Sequence, residues 1–193
     1  MAYRFIFYEG VTEAMVLDME DLIGSVCYPD DTGSTAEQLE VYRKNKRSRI
    51  AVFKGDKLIG YTCVLPITDE TYRMIKESVT SNVFLHLGQV MKYEAGGRYK
   101  LYIDGFAIMP EERNYELSKL LLNAVFFEIG RMAGDGIEVD EIVCYVTDRR
   151  VGRLLEIEGF IMTGDVSSRM PVYSIKKECF PAAAAVKNTF PVC

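Results

Sequence analysis

The sequence predicts a mixed α/β fold, a central sheet flanked by helices, and three stretches carry that expectation. "IDGFAIMPEERNYELSKLLLNAVF" (Ile103–Phe126) begins as a strand and passes through a polar bend into a strongly apolar helix. "RIAVF", a "KGDK" turn and "LIGYTCVLP" (Arg49–Pro66) read as a β-hairpin. Downstream, "EIVCYV" (Glu141–Val146) reads as a buried strand, followed by a short helix and a Gly-Phe pair opening another strand.

Taken in order, "YRFIFY" (Tyr3–Tyr8) alternates and is aromatic, as a strand does. Gly10 breaks it, and Thr12 can cap a helix whose stripe is Met15, Leu17, Met19, Leu22, Ile23 and Val26. "YPDDTGS" is a loop, and Ser34 with Glu37, or Thr35 with Gln38, offers a capping box for a second helix ending in "YRKNKRSR". That basic cluster reads as a solvated helix end rather than a phosphate grip. After the hairpin, "DETYRMIKESV" has helical spacing, whereas "NVFLHLGQVMKYEAGG" has neither period clearly. His86, inside it, reads as packed or partly exposed. "YKLYIDGFAIM" is a strand whose interior Gly105 marks a bulge or a close backbone approach. The helix beyond the bend buries Leu117, Leu120, Leu121, Ala124, Val125 and Phe127. "AGDGIEVD" is a loop, Asp148 can cap the helix carrying Val151, Leu154 and Leu155, and "PVYSIKK" gives the last strand.

At 193 residues the chain suits one core. No repeat or low-complexity linker divides it, so residues 1–178 are expected to form one domain and 179–193 a tail, loosely held or docked on a partner. A net charge of −5 argues against nucleic acid. No apolar run reaches membrane-spanning length and no signal-peptide pattern is visible. Five scattered cysteines without a C-x-x-C pair suit a reducing cytoplasm, and a single histidine gives no zinc site, so no metal is expected.

A helix start leaves unpaired backbone N–H groups and partial positive charge, so a strand-to-helix turn can hold an anion. Arg113 can add a fixed charge there, and Ser118 a hydroxyl. The span "FAIMPEERNYELSKLLLNAVF" resembles the central motif of the GNAT-type N-acyltransferase superfamily, a strand meeting a helix through (Arg/Gln)-x-x-Gly-x-(Gly/Ala). The two early helices, the hairpin and "VTDRRVGRLLEIEGF" stand in the order that family shows, and the resemblance runs from about Phe5 to Lys176. It implies a GNAT-like mixed sheet and an acyl-coenzyme A co-substrate, most simply acetyl-CoA. The pyrophosphate would then lie on the backbone of Arg113, Asn114, Tyr115, Glu116, Leu117 and Ser118. The pantetheine arm would pair with Phe106, Ala107 and Ile108, and Asp148 would head the helix on its far side.

This sequence departs from the pattern at four positions. Glu116 and Ser118 replace the small residues, Asp148 stands where Asn is common, and Leu155 stands where a tyrosine often protonates the departing thiolate. Amine acylation needs a base for the ammonium proton. Asp104 is the candidate, directly or through water, with a solvent-facing or paired strand-end carboxylate as the alternative; Glu94 is a weaker one. Tyr145 or Tyr173 would have to replace the missing acid, although core or surface packing accounts better for each of these tyrosines. The acceptor would be the amine of a small molecule or peptide, and the last strand offers an edge for a homodimer. The competing expectation is a catalytically weak or inactive CoA-binding or protein-interaction module on the same fold.

Overall fold

The computed structural model describes residues 3–26, 35–77, 85–146, 148–163 and 171–182. Among these residues, seven strands form one sheet in the order β1-β2-β3-β4-β5-β7-β6: β1 (Tyr3–Ile6), β2 (Arg49–Lys54), β3 (Lys57–Ile67), β4 (Arg98–Ile108), β5 (Glu138–Tyr145), β6 (Ile161–Met162) and β7 (Val172–Lys176). Every neighbouring pair is antiparallel except β4 with β5. That parallel step requires a crossover, and α4 (Tyr115–Gly134) supplies it. The other helices are α1 (Glu13–Val26), α2 (Thr35–Lys44), α3 (Asp69–Lys76) and α5 (Arg149–Ile157).

Strand alternation divides the core between the two faces. Ile50, Val64, Leu101, Ile103 and Ile142 pack with Leu122, Val125 and Phe126 of α4. Their chain neighbours Ala51, Cys63, Tyr102 and Val143 pack on the opposite face with Val16, Met19 and Leu22 of α1 and Val41 and Tyr42 of α2. Leu17, expected in the α1 stripe, is exposed because the buried spacing is 16-19-22, and Val16 takes its place.

Local signals behave as their chemistry requires. The Thr12 hydroxyl accepts from Met15 N at 3.3 Å, and Asp148 caps α5 by accepting from Arg150 N at 2.8 Å. Gly159 ends α5 with φ of +91°, a conformation that glycine adopts without strain. Ser34, half of one expected capping box, lies outside the described residues, as do residues 183–193 of the expected tail. The tail's first residues are held: Phe180 packs on Phe126 with ring centroids 5.6 Å apart. β5 begins at Glu138, inside the expected loop, because α4 runs to Gly134 and leaves a short turn.

Candidate functional site at the parting of two strands

Two irregularities in β4 build the site. The first is a bulge. Ile103 pairs with Val64 and Gly105 with Cys63, so Asp104 has no partner in β3. A bulge lets two successive residues oppose one, and it re-aims the extra side chain. The position of Gly105 follows from packing: a Cβ there would meet the Tyr61 ring at 3.0–3.3 Å. Thr62 pins the same point, its hydroxyl donating to the Gly105 carbonyl at 2.9 Å.

The second irregularity is a parting. β4 and β5 stay in register only from Arg98–Glu138 to Tyr102–Val143. Beyond that, β5 continues against β7 through Cys144 and Tyr145, while β4 follows β3 to Ile108. The β5-facing edge of Ile103–Ile108 therefore lacks a strand partner, a backbone edge that an extended ligand can complete.

A groove of about 500 Å³ fills the opening between Phe106, Ala107 and Ile108 on one side and Asp148, Arg150, Val151 and Leu154 of α5 on the other. Its end wall is the start of α4, with Arg113, Asn114, Tyr115 and Ser118. A smaller cavity of about 100 Å³ lies at the vertex, lined by Asp104, Tyr102, Cys144, Tyr145 and Leu155 among others. Phe106, Asp148, Val151 and Leu154 line both, so the two spaces adjoin.

At the α4 start the expected row of six donors is narrower. Arg113 N reaches Pro110 O at 3.4 Å, Leu117 N donates to the Asn114 cap at 2.8 Å, and Ser118 N donates to Asn114 O. Among the described residues, the N–H groups of Asn114, Tyr115 and Glu116 have no acceptor. These are the donors an anion would meet. The Glu116 side chain is exposed and does not line the groove, so its negative charge does not plug the opening. The Arg113 Nε donates to Ile108 O at 2.9 Å and ties the strand end to the bend. Arg150, which sequence reasoning missed, lines the groove while bound to Asp148 at 2.7 Å. The dipeptide after a helix cap was the signal for it. The Arg150 guanidinium and backbone hold the Asp148 carboxyl below its ordinary range.

Asp104 is half-buried at the vertex. Burial pushes its carboxyl up to about 7, against the pull of Arg49 and with a further push from Glu20. Among the described residues no side chain forms an ion pair or hydrogen bond with it, and it is partly open to the vertex cavity. Tyr145 lines the vertex and its hydroxyl donates to Ile75 O at 3.3 Å. Tyr173 lines neither space: alternation along β7 turns it toward α5, where it sits beneath Gly152 and donates to Glu156 at 3.2 Å. Glu94 is exposed before the opposite end of β4 and also lines neither. His86 is exposed and bonds Glu37 at 3.0 Å. Leu155 is buried at the vertex, an apolar wall at the position where the resemblance implied an acid.

No family model matches the chain, and no curated protein matches it in sequence. Solved structures do match. The loading GNATL domain of CurA from Lyngbya majuscula superposes with a TM-score of 0.63 at 14% identity, over 91% of this chain and 98% of that one. A chain of the NatC complex, solved with Gag peptide and CoA, gives 0.61 at 14% identity over 90% and 96%. The yncA protein of Salmonella typhimurium, solved with its cofactor acetyl-CoA, gives 0.58 at 13% identity over 91% and 94%. A longer Pyrococcus horikoshii protein also matches, with a TM-score of 0.53, and this chain spans 43% of its length. The chain has the GNAT fold. Within the described residues no cluster of metal-binding side chains occurs and no helix is long and apolar enough to cross a membrane.

Proposed function

We propose that this protein is an acyl-CoA-dependent N-acyltransferase, in its simplest form transferring acetyl from acetyl-CoA to a primary amine of a small molecule or peptide. The observation that carries the proposal is the parting of β4 from β5 after Tyr102. It leaves a strand edge, a cluster of unpaired helix-start amides and a polar vertex along one groove.

In this reading the amides of Asn114, Tyr115 and Glu116 hold the pyrophosphate, with Arg113 and Arg150 beside it. The free edge of Phe106–Ile108 aligns the pantetheine arm and brings the thioester to the vertex. Asp104, ionised, accepts the proton of the incoming ammonium directly or through a water. The neutral amine nitrogen then attacks the thioester carbon, a carbon–nitrogen bond forms as the carbon–sulfur bond breaks, the sulfur leaves as thiolate, and the nitrogen releases its second proton to solvent to give the neutral amide. A thiol pKa of about 8.5 lets that thiolate take its proton from solvent, so Leu155 in the place of an acid does not block turnover. Tyr145 borders the vertex as a second proton source.

The buried Leu155 and the engagement of Tyr145 with a backbone carbonyl favour a second reading, a module of the same fold that holds CoA without turnover. One experiment separates the two. Thermal unfolding with acetyl-CoA, desulfo-CoA and ATP, followed by thiol release over a panel of primary amines and peptides, is expected to give a melting-temperature rise with the first two ligands and thiol release with at least one amine. Stabilisation without thiol release supports the module. No stabilisation by either CoA ligand overturns both.

A further inference from the structure

The α1–α2 face of the sheet contains a buried ionic cluster beside the vertex. Arg49, the first residue of β2, is the largest fully buried side chain of the described residues. Its Nη2 donates to Gln38 of α2 at 3.0 Å and to Glu20 of α1 at 3.3 Å, and its Nη1 to Ser48 at 3.2 Å. Its Nε is buried and has no hydrogen-bond partner among the described residues. A fully desolvated guanidinium with an unpaired donor is a costly arrangement, and a cluster of this kind needs a reason.

Sheet register supplies one. Arg49 pairs with Cys63 across β2–β3, and Cys63 pairs with Gly105 across β3–β4. Residues paired in this way project to the same face. The row from Arg49 toward the bulge is therefore Arg-Cys-Gly, one long side chain followed by a small one and none. Cys63 and Gly105 add little bulk of their own between the guanidinium and the bulge at Asp104, and the buried Tyr61 ring packs over the Gly105 end of the row.

We propose that Arg49 is a positioning residue, the buried counter-charge that keeps the Asp104 carboxylate ionised at the vertex. The two groups make no direct ion pair; they act on one another through a low-dielectric interior, where charge interactions fall off slowly. This role rests on the acyl-transfer reading, whereas the charge coupling can be measured without turnover. The groups facing Asp104 from the packed elements are Glu20 of α1, Arg49 of β2, and Tyr61 and Cys63 of β3. Tyr145 of β5 and Asp148 before α5 border the same cavity. Burial raises Tyr61 and Cys63, so both remain neutral near pH 7. Asp148 is held below its ordinary range and its charge is met by Arg150. Glu20 and Arg49 push Asp104 in opposite directions.

The test is a carbon-13 titration of the aspartate carboxyls in the intact chain, with the Asp104 signal assigned by its loss in D104N. The wild-type midpoint is expected near the neutral range. R49M should raise it by up to about 1 unit, less than the roughly 1–3 units produced by a guanidinium at contact distance. R49K, which keeps the charge, should bring it back toward the wild-type value, and E20Q should lower it. If R49M fails to fold, R49Q, which keeps a polar partner for Gln38 and Glu20, removes the same charge and should raise the midpoint likewise. An unchanged Asp104 midpoint in the folded variant that removes the Arg49 charge overturns the proposal and leaves Arg49 as a knot joining α1 and α2 to the sheet. Failure of the acyltransferase reading looks different: acetyl-CoA does not stabilise the wild-type protein, yet the midpoints still move.

Discussion

Replacing Asp104 by asparagine should stabilise the folded chain at alkaline pH while lowering transfer activity. The carboxyl titrates at about 7 in the fold against an ordinary 3.8, and the larger part of that rise comes from burial. A raised acid contributes its full stability below the ordinary value and loses it as pH climbs through the folded value, because the native state retains a proton that the unfolded chain has released. The interval is about 3 units, an upper bound of about 4 kcal/mol at pH 8. Partial exposure of the group returns some of this to solvent, so about 1–2 kcal/mol is expected from D104N, or about 2–8 °C in melting temperature. At pH 4.5 wild-type Asp104 is mostly protonated when folded and has traversed about a fifth of the interval, so the gain should nearly vanish. Thermal unfolding of both proteins at pH 8 and pH 4.5 reads this directly. Removing the base should lower thiol release by about 10²–10⁴-fold with acetyl-CoA stabilisation intact. A D104N protein less stable than wild type at pH 8, or equally stabilised at both pH values, would refute the reasoning.

Three further outcomes follow from neighbouring residues. In G105A the new Cβ would stand 3.0 Å from the Tyr61 hydroxyl oxygen, and urea unfolding should show a loss of about 1–3 kcal/mol from overpacking. N114A removes the acceptor for Leu117 N and should lower stability by about 1 kcal/mol, roughly 2–4 °C. R113A unties Ile108 O and takes a guanidinium from the groove wall; calorimetry should find acetyl-CoA bound about tenfold or more weakly, with a shallower salt dependence.

Much of the fold was legible because its signals are short-range. Thr12, Asp148 and Gly159 cap or end helices through contacts within a turn, and the α4 stripe follows from a 3.6-residue period. Gly105 announced the bulge because a strand interior seldom leaves a side chain out without cause. The site was legible in part. Asp104 and the Asn114–Glu116 bend could be named, but the direction of Glu116, which decides whether the bend is open, could not. Tyr145 and Tyr173 were indistinguishable in sequence, yet they point to opposite faces of the sheet. Arg49 read as the end of a solvated basic run, and its burial depends on Glu20 and Gln38, 29 and 11 residues away.

By itself the sequence determined the elements, their caps, the bulge and the order that marks the GNAT fold. Each of these depends on residues a turn or a strand apart. Tertiary structure alone decided where β4 leaves β5, because each strand then follows its other neighbour: β4 stays with β3 to Ile108 and β5 stays with β7 to Tyr145. It also decided which carboxylate is desolvated beside a buried guanidinium. Desolvation belongs to the packed sheet and its helices together, and no local pattern of residues encodes it.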